Sequence, residues 1–118
     1  MYEDDAAIAF LDITPSSPGH TVIIPKQHAA TLIELPDEAI APLFTAIKRV
    51  DGILAEKLNP DGMTIGINQG KASGQEIGHL HIHLIPRKYH DGGHAIQSAA
   101  NTGKSIPLDE IARKLGIS

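Results

Sequence analysis

His79, His81 and His83 alternate with Leu80, Ile82 and Leu84 in the run HLHIHLI, residues 79–85. In an extended chain alternate side chains share a face, so three imidazoles line one side and three aliphatic chains the other. The aliphatic face suits a core. The imidazole face is not a packing solution, because each ring carries nitrogens that need partners or water. Three chemistries are open to such a row. The plainest is a solvated polar face that happens to be histidine. The second is a metal site. Same-face neighbours on a strand lie roughly 6.5–7 Å apart, and the outer two about 13 Å apart. A metal needs each ligand nitrogen within about 2.1 Å, so two of the three converge on one ion more readily than all three. His28, His20 or a carboxylate would then complete the shell. The third is a phosphate site, where spaced donors each meet a different oxygen. One imidazole acts as nucleophile while others bind oxygens or orient a leaving group.

The segment just before the row favours the phosphate. QGKASGQEIG, residues 69–78, holds Gly70, Gly74 and Gly78, and glycines let backbone N–H groups approach an anion closely. Asn68 and Gln75 add neutral hydrogen-bond donors. A plain connecting loop would also contain glycines; beside three histidines they read as an oxyanion cradle. Glu76 reads as a solvated loop carboxylate, since a glutamate donates a proton only when its pKa is raised.

The elements that must hold these residues can be read from the pattern. Residues 8–13, IAFLDI, and 20–25, HTVIIP, are β-prone runs separated by the turn TPSSPG, and form a hairpin. Residues 36–58 have helical spacing, with Ile40, Leu43, Phe44, Ile47, Leu54 and Leu58 on one face. Asp37 and Glu38 suit its positive end. Pro42 is disruptive in mid-helix, which places the regular part nearer Ala41. Asn59-Pro60-Asp61-Gly62 ends it. Residues 63–68 are a third strand and 79–85 a fourth, ended by Pro86. Residues 88–105 read as a mobile loop or a tail ordered on a partner, with His90 and His94 at the surface. Residues 107–115 form a short C-terminal helix between Pro107 and Gly116. The order predicts an α+β fold of about four to five mostly antiparallel strands, one long helix and a short C-terminal helix. The 118 residues make a single domain, with residues 1–87 as its core and 88–118 as loop and helix.

Composition narrows the partners. The net charge of -4 argues against non-specific nucleic-acid binding, and the 3% aromatic content with no Trp argues against a base-stacking platform. With no Cys there is neither a disulfide nor a thiolate metal site. No apolar run is long enough to span a bilayer, and the acidic start MYEDD lacks the basic region of a signal peptide. The expected location is cytoplasmic.

GHLHIHLIPR resembles the signature of the histidine triad (HIT) family, in which three histidines alternate with apolar residues. AFLDITPSSPGHTVIIPKQH, residues 9–28, is similar to the family's N-terminal hairpin, and INQGKASGQEIGH, residues 67–79, to the segment leading into the triad. The likeness covers most of residues 2–87. It implies a homodimer, a small-molecule nucleotide substrate, and hydrolysis or transfer at the α-phosphate of nucleoside phosphoramidates, dinucleoside polyphosphates or aminoacyl-adenylates. By matching position His81 is the nucleophile and forms a nucleotidyl-histidine. His83 bonds the phosphate or leaving-group side. His79 holds the site from behind, with His28 as its neighbour. Asn68, Gly74 and Gln75 meet the phosphate, Asp12 the ribose hydroxyls, and Phe10 and Ile13 the base. A neutral imidazole, with an ordinary pKa of about 6.5, is a competent nucleophile near neutral pH. Neither metal nor cofactor is required. Family members of this kind carry a further segment upstream of the position of Met1, which leaves the expected base pocket more open here. Arg87 either caps the triad strand or recruits an anionic leaving group. Two rival functions are a nucleotide-binding module without turnover and a metal-binding protein using the histidine row.

Overall fold

In the computed structural model, which describes residues 1–99 and 105–116, the chain forms β1 (Tyr2–Glu3), β2 (Ala7–Leu11), β3 (Thr21–Pro25), α1 (Asp37–Leu58), β4 (Gly62–Gly66), β5 (Ile82–Arg87) and α2 (Leu108–Leu115). Short 3-10 turns occupy Lys71–Ser73 and Ile96–Ala99. The strands make one antiparallel sheet in the order β1-β2-β3-β5-β4. The expected α+β class is observed, with five strands, one long helix and a short C-terminal helix. Part of the expected 88–105 loop, residues 100–104, lies outside the described residues. No helix among those described is long and apolar enough to cross a membrane.

The hairpin forms as its pattern predicts. β2 and β3 pair from Ala7↔Pro25 to Leu11↔Thr21. The turn between them is closed by the Asp12 N–H on the His20 carbonyl at 2.9 Å and the His20 N–H on the Ser17 carbonyl at 3.1 Å. Gly19 has φ +88, a conformation that an L side chain resists, and a Cβ there would run into the Leu58 side chain at the end of α1.

β5 begins at Ile82, three residues later than its alternation suggests, and runs through Pro86 instead of stopping there. Both departures have backbone causes. The Leu80 N–H bonds the Ala29 carbonyl at 2.7 Å, and the His79 carbonyl accepts from a side chain, so residues 79–81 leave the ladder. At the other end β3 pairs with β5 only as far as Leu84. The Pro86 carbonyl turns to the Ser17 hydroxyl at 2.8 Å. In an antiparallel strand the N and C=O of a residue face the same side, so the missing proline N–H costs no bond to β4. The other strands also shift by a residue or two: 7–11 for 8–13, 21–25 for 20–25, and 62–66 for 63–68.

α1 starts at Asp37, not near Ala41, and carries Pro42 within it. Pro42 is exposed and close to the N-terminal end. The buried stripe of α1 is Leu43, Ala46, Ile47, Val50 and Leu54. Phe44 and Leu58, expected in the core, are 46% and 43% exposed; Phe44 lies about 100° round the helix from Leu43 and beside the buried stripe, while Leu58 keeps to that stripe but sits in the last turn of α1, where its side chain faces Gly19. Leu80, Ile82 and Leu84 are all but fully buried with Ile23, Leu43 and Val50, which leaves His79, His81 and His83 on the opposite side. Gly19→Ala should lower stability by at least about 1 kcal/mol through the positive φ alone, read as a lower urea midpoint with unchanged slope.

Candidate active site

The three histidines reach the same cavity from different backbone states, His83 from the ladder and His79 and His81 from the segment just before it. The cavity has a volume of about 730 Å³, large enough for a nucleotide. Phe10, Leu11, Ile13, Val22 and Ile24 form an apolar wall on the hairpin, while Asn68, Gly74, Glu76 and Ile77 form a wall on the loop before the triad.

Each ring's tautomer follows from its partners. His81 Nδ1 lies 2.9 Å from the His79 carbonyl oxygen. A carbonyl only accepts, so Nδ1 carries the proton and Nε2 keeps its lone pair. The Ser16 backbone N–H donates to His20 Nδ1 at 3.0 Å, so neutral His20 is protonated on Nε2. That Nε2–H donates to His83 Nδ1 at 2.9 Å, which puts the proton of neutral His83 on Nε2. His79 donates from Nε2 to the Pro25 carbonyl at 3.0 Å and so accepts at Nδ1 from His28 at 3.2 Å. These hydrogen bonds give His81 an unprotonated nitrogen and His83 a donor nitrogen on adjacent rings, whose centroids are 5.1 Å apart.

Asp12 is half-buried, with a carboxylate oxygen 3.6 Å from His20 Nε2. Its carboxyl is held below the usual range chiefly by the Thr14 backbone N–H, assisted by the Thr14 hydroxyl and by His20 and His83, against the opposing effect of burial. The His83 pKa is lowered first by burial and then by His20 and His81, with Asp12 opposing. Donor atoms of Asp12, His20 and His83 lie within 4.8 Å of one another and are the described group able to hold a metal ion. The row itself does not converge, as strand spacing predicts.

Of the residues singled out from sequence, Phe10, Asp12, Ile13, Asn68, Gly74, His79, His81 and His83 line this cavity. Gln75 does not. Its Nε2 donates to the Ala30 and Ile77 carbonyls at 2.8 and 3.0 Å, and its Oε1 accepts the Gly70 N–H at 2.7 Å. It ties the loop to the segment after β3, and no donor is left for a phosphate. His28 is exposed and meets the site only through His79. Arg87 donates to both Asp91 oxygens, the Thr64 hydroxyl and the His94 carbonyl. It clamps the loop after β5. His20 was visible in the sequence only as a spare metal ligand. Its signal was position: the residue before β3, opposite a turn that could supply an amide to one ring nitrogen.

An antiparallel sheet that presents a histidine row over a nucleotide-sized cavity defines the class of the histidine-triad proteins. Residues 1–90 match the HIT domain family, and the chain belongs to it. It is 36% identical over 93 residues, 79% of this chain and 67% of the relative, to the adenosine 5'-monophosphoramidase hnt1 of Schizosaccharomyces pombe. It is 37% identical over 115 residues to the adenylylsulfatase HINT3 of Arabidopsis thaliana, covering 98% of this chain but 57% of that protein's length. A crystal structure of a HIT family member from Bacillus subtilis superposes with a TM-score of 0.81 at 30% identity, over 98% of this chain and 84% of that one.

The lowered His83 pKa fixes a sign for stability. The folded protein binds this proton less readily than the unfolded chain, so the penalty grows as pH falls below the ordinary value of 6.5 and is absent well above it. Between pH 7 and pH 5.5 wild type should therefore lose more unfolding free energy than His83→Asn, measured by urea titration at both values; equal losses would contradict the assignment.

Proposed function

We propose that the protein hydrolyses or transfers a nucleotide conjugate at its α-phosphate, through a covalent nucleotidyl intermediate on His81. The observation that carries this reading is the His81 Nδ1–H bond to its own backbone at the His79 carbonyl. The bond presents a neutral Nε2 lone pair on a ring that lines the cavity, which is the requirement for a nitrogen nucleophile at phosphorus.

His81 Nε2 attacks the α-phosphorus. A P–N bond forms, and the bond from phosphorus to the leaving atom breaks with its electron pair going to that atom. His83 Nε2–H hydrogen-bonds the phosphate oxygens or the departing atom, and the leaving group takes up its proton from water. His20 Nε2–H holds His83 Nδ1 from behind and so fixes the His83 tautomer, with the Asp12 carboxylate beside it. In the second half water attacks the same phosphorus, the P–N bond breaks with its electron pair returning to His81, and nucleoside monophosphate leaves; another acceptor in place of water carries away the nucleotidyl group instead. Asn68 and backbone N–H groups near Gly74 stabilise charge on the phosphate oxygens. Asp12 accepts from the ribose hydroxyls, and Phe10 and Ile13 cover the base. The His28–His79 pair holds the carbonyl that orients His81. A homodimer is supported by the open edge of β4 and by the exposed Phe44, Leu58 and Ile65.

Support from relatives is of the same kind, since two carry names of enzymes that cleave adenylates. Rapid mixing with adenosine phosphoramidate, followed by intact-protein mass spectrometry, tests the reading. Wild type should gain one adenylyl group transiently. His81→Ala should gain none and lose about a thousandfold or more in kcat/KM. An adduct on His81→Ala would refute the assignment, and tight binding with neither adduct nor turnover would select a non-catalytic nucleotide-binding role.

A further inference from the structure

The walls of the cavity carry charge of one sign. Its two acidic side chains are Asp12 and Glu76, and among the described residues no lysine or arginine lines it. The two carboxylates differ in availability. Asp12 is occupied by the Thr14 N–H and hydroxyl and lies beside His20. Glu76 is exposed on the loop wall and engages in no hydrogen bond or ion pair among the described residues. Arg87, the cation nearest in sequence to the triad, is spent on Asp91, Thr64 and the His94 carbonyl. A dinucleoside polyphosphate, which brings several negative charges, finds no side-chain cation here to offset them.

The apolar residues Phe10, Leu11, Ile13, Val22 and Ile24 of the hairpin suit a base, and the loop residues Asn68, Gly74, Glu76 and Ile77 line the same cavity. With a phosphate at His81 and its nucleoside on the apolar residues, the loop side of the cavity, which includes Glu76, is left for the leaving group. Resting on the function proposed above, we infer that Glu76 is a specificity-determining residue that selects nucleotide conjugates whose leaving group is a cationic amine and disfavours anionic ones. The carboxylate acts through its field on a charge in the leaving group away from the reacting atom. It takes no part in bond making, and the proton count of the reaction is unchanged. An exposed charge pair of this kind is screened over about 8–10 Å at 0.10–0.15 M salt and is worth a few-fold.

Three adenylates that share AMP and differ in the leaving group test this. They are adenosine phosphoramidate as the neutral case, the AMP phosphoramidate of ethylenediamine as the cationic case, and adenylyl sulfate as the anionic case. The readout is the ratio of kcat/KM for each charged conjugate to that for the neutral one, in wild type, Glu76→Gln and Glu76→Lys. Glu76→Gln should reduce the cationic-to-neutral ratio about three- to fivefold, and Glu76→Lys should reduce it further while raising the anionic-to-neutral ratio. The wild-type cationic preference should shrink as salt is raised from 0.02 to about 0.5 M. Ratios that stay the same across the three proteins, with adenosine phosphoramidate still cleaved, would overturn the role of Glu76 and leave the phosphate chemistry standing. Failure of the wild type to cleave any of the three would overturn both.

Discussion

One hydrogen bond ties the chemistry of this protein to its backbone: His81 Nδ1–H to the carbonyl of His79, 2.9 Å away. It exists because residues 79–81 are released from the sheet. Were β5 to start at His79, that carbonyl would face a ladder partner and the ring would lose its acceptor. The Leu80 N–H on Ala29 holds the released segment in place, and buried Leu80 anchors it to the core below. Packing on one side of the chain thus fixes a tautomer on the other.

The remaining histidines extend the same logic. The turn between β2 and β3 supplies the Ser16 amide to His20, and His20 in turn orients His83. Pro25, the last residue of β3, supplies the acceptor for His79. Two ends of one strand therefore set the protons on the rings either side of His81. Gln75 contributes at a distance, by bonding Gly70, Ala30 and Ile77 so that Gly74 and Glu76 reach the cavity wall. Gly74 itself has φ +102, which a residue with a side chain adopts at a cost.

The sequence made the row, its apolar underside and the hairpin legible because they depend on period-two alternation, which is local. The long helix was legible in extent, but not its buried face: Phe44 is apolar yet lies beside the buried stripe, Leu58 is half-covered only because the helix ends there, and the position of the sheet decides between adjacent stripes. The role of His20 depends on a contact across 63 positions to His83, and that of Gln75 on one across 45 to Ala30. Neither partner is implied by spacing. A glutamine beside a glycine-rich loop reads equally as a phosphate donor and as a loop tie, and only its hydrogen-bond geometry separates the two. Pro86 misled for a related reason. Its lack of an N–H ends a strand only when that N–H faces a partner, and here it faces the hairpin turn.

The claim on which the account turns is the tautomer of His81. Long-range proton–nitrogen correlation NMR of the imidazole rings, at a pH where they are neutral, reads it directly. The account predicts a protonated Nδ1 and an unprotonated Nε2 for His81, with the reverse arrangement for His20, His79 and His83. A His81 ring protonated on Nε2 would leave no lone pair toward the cavity and would contradict it.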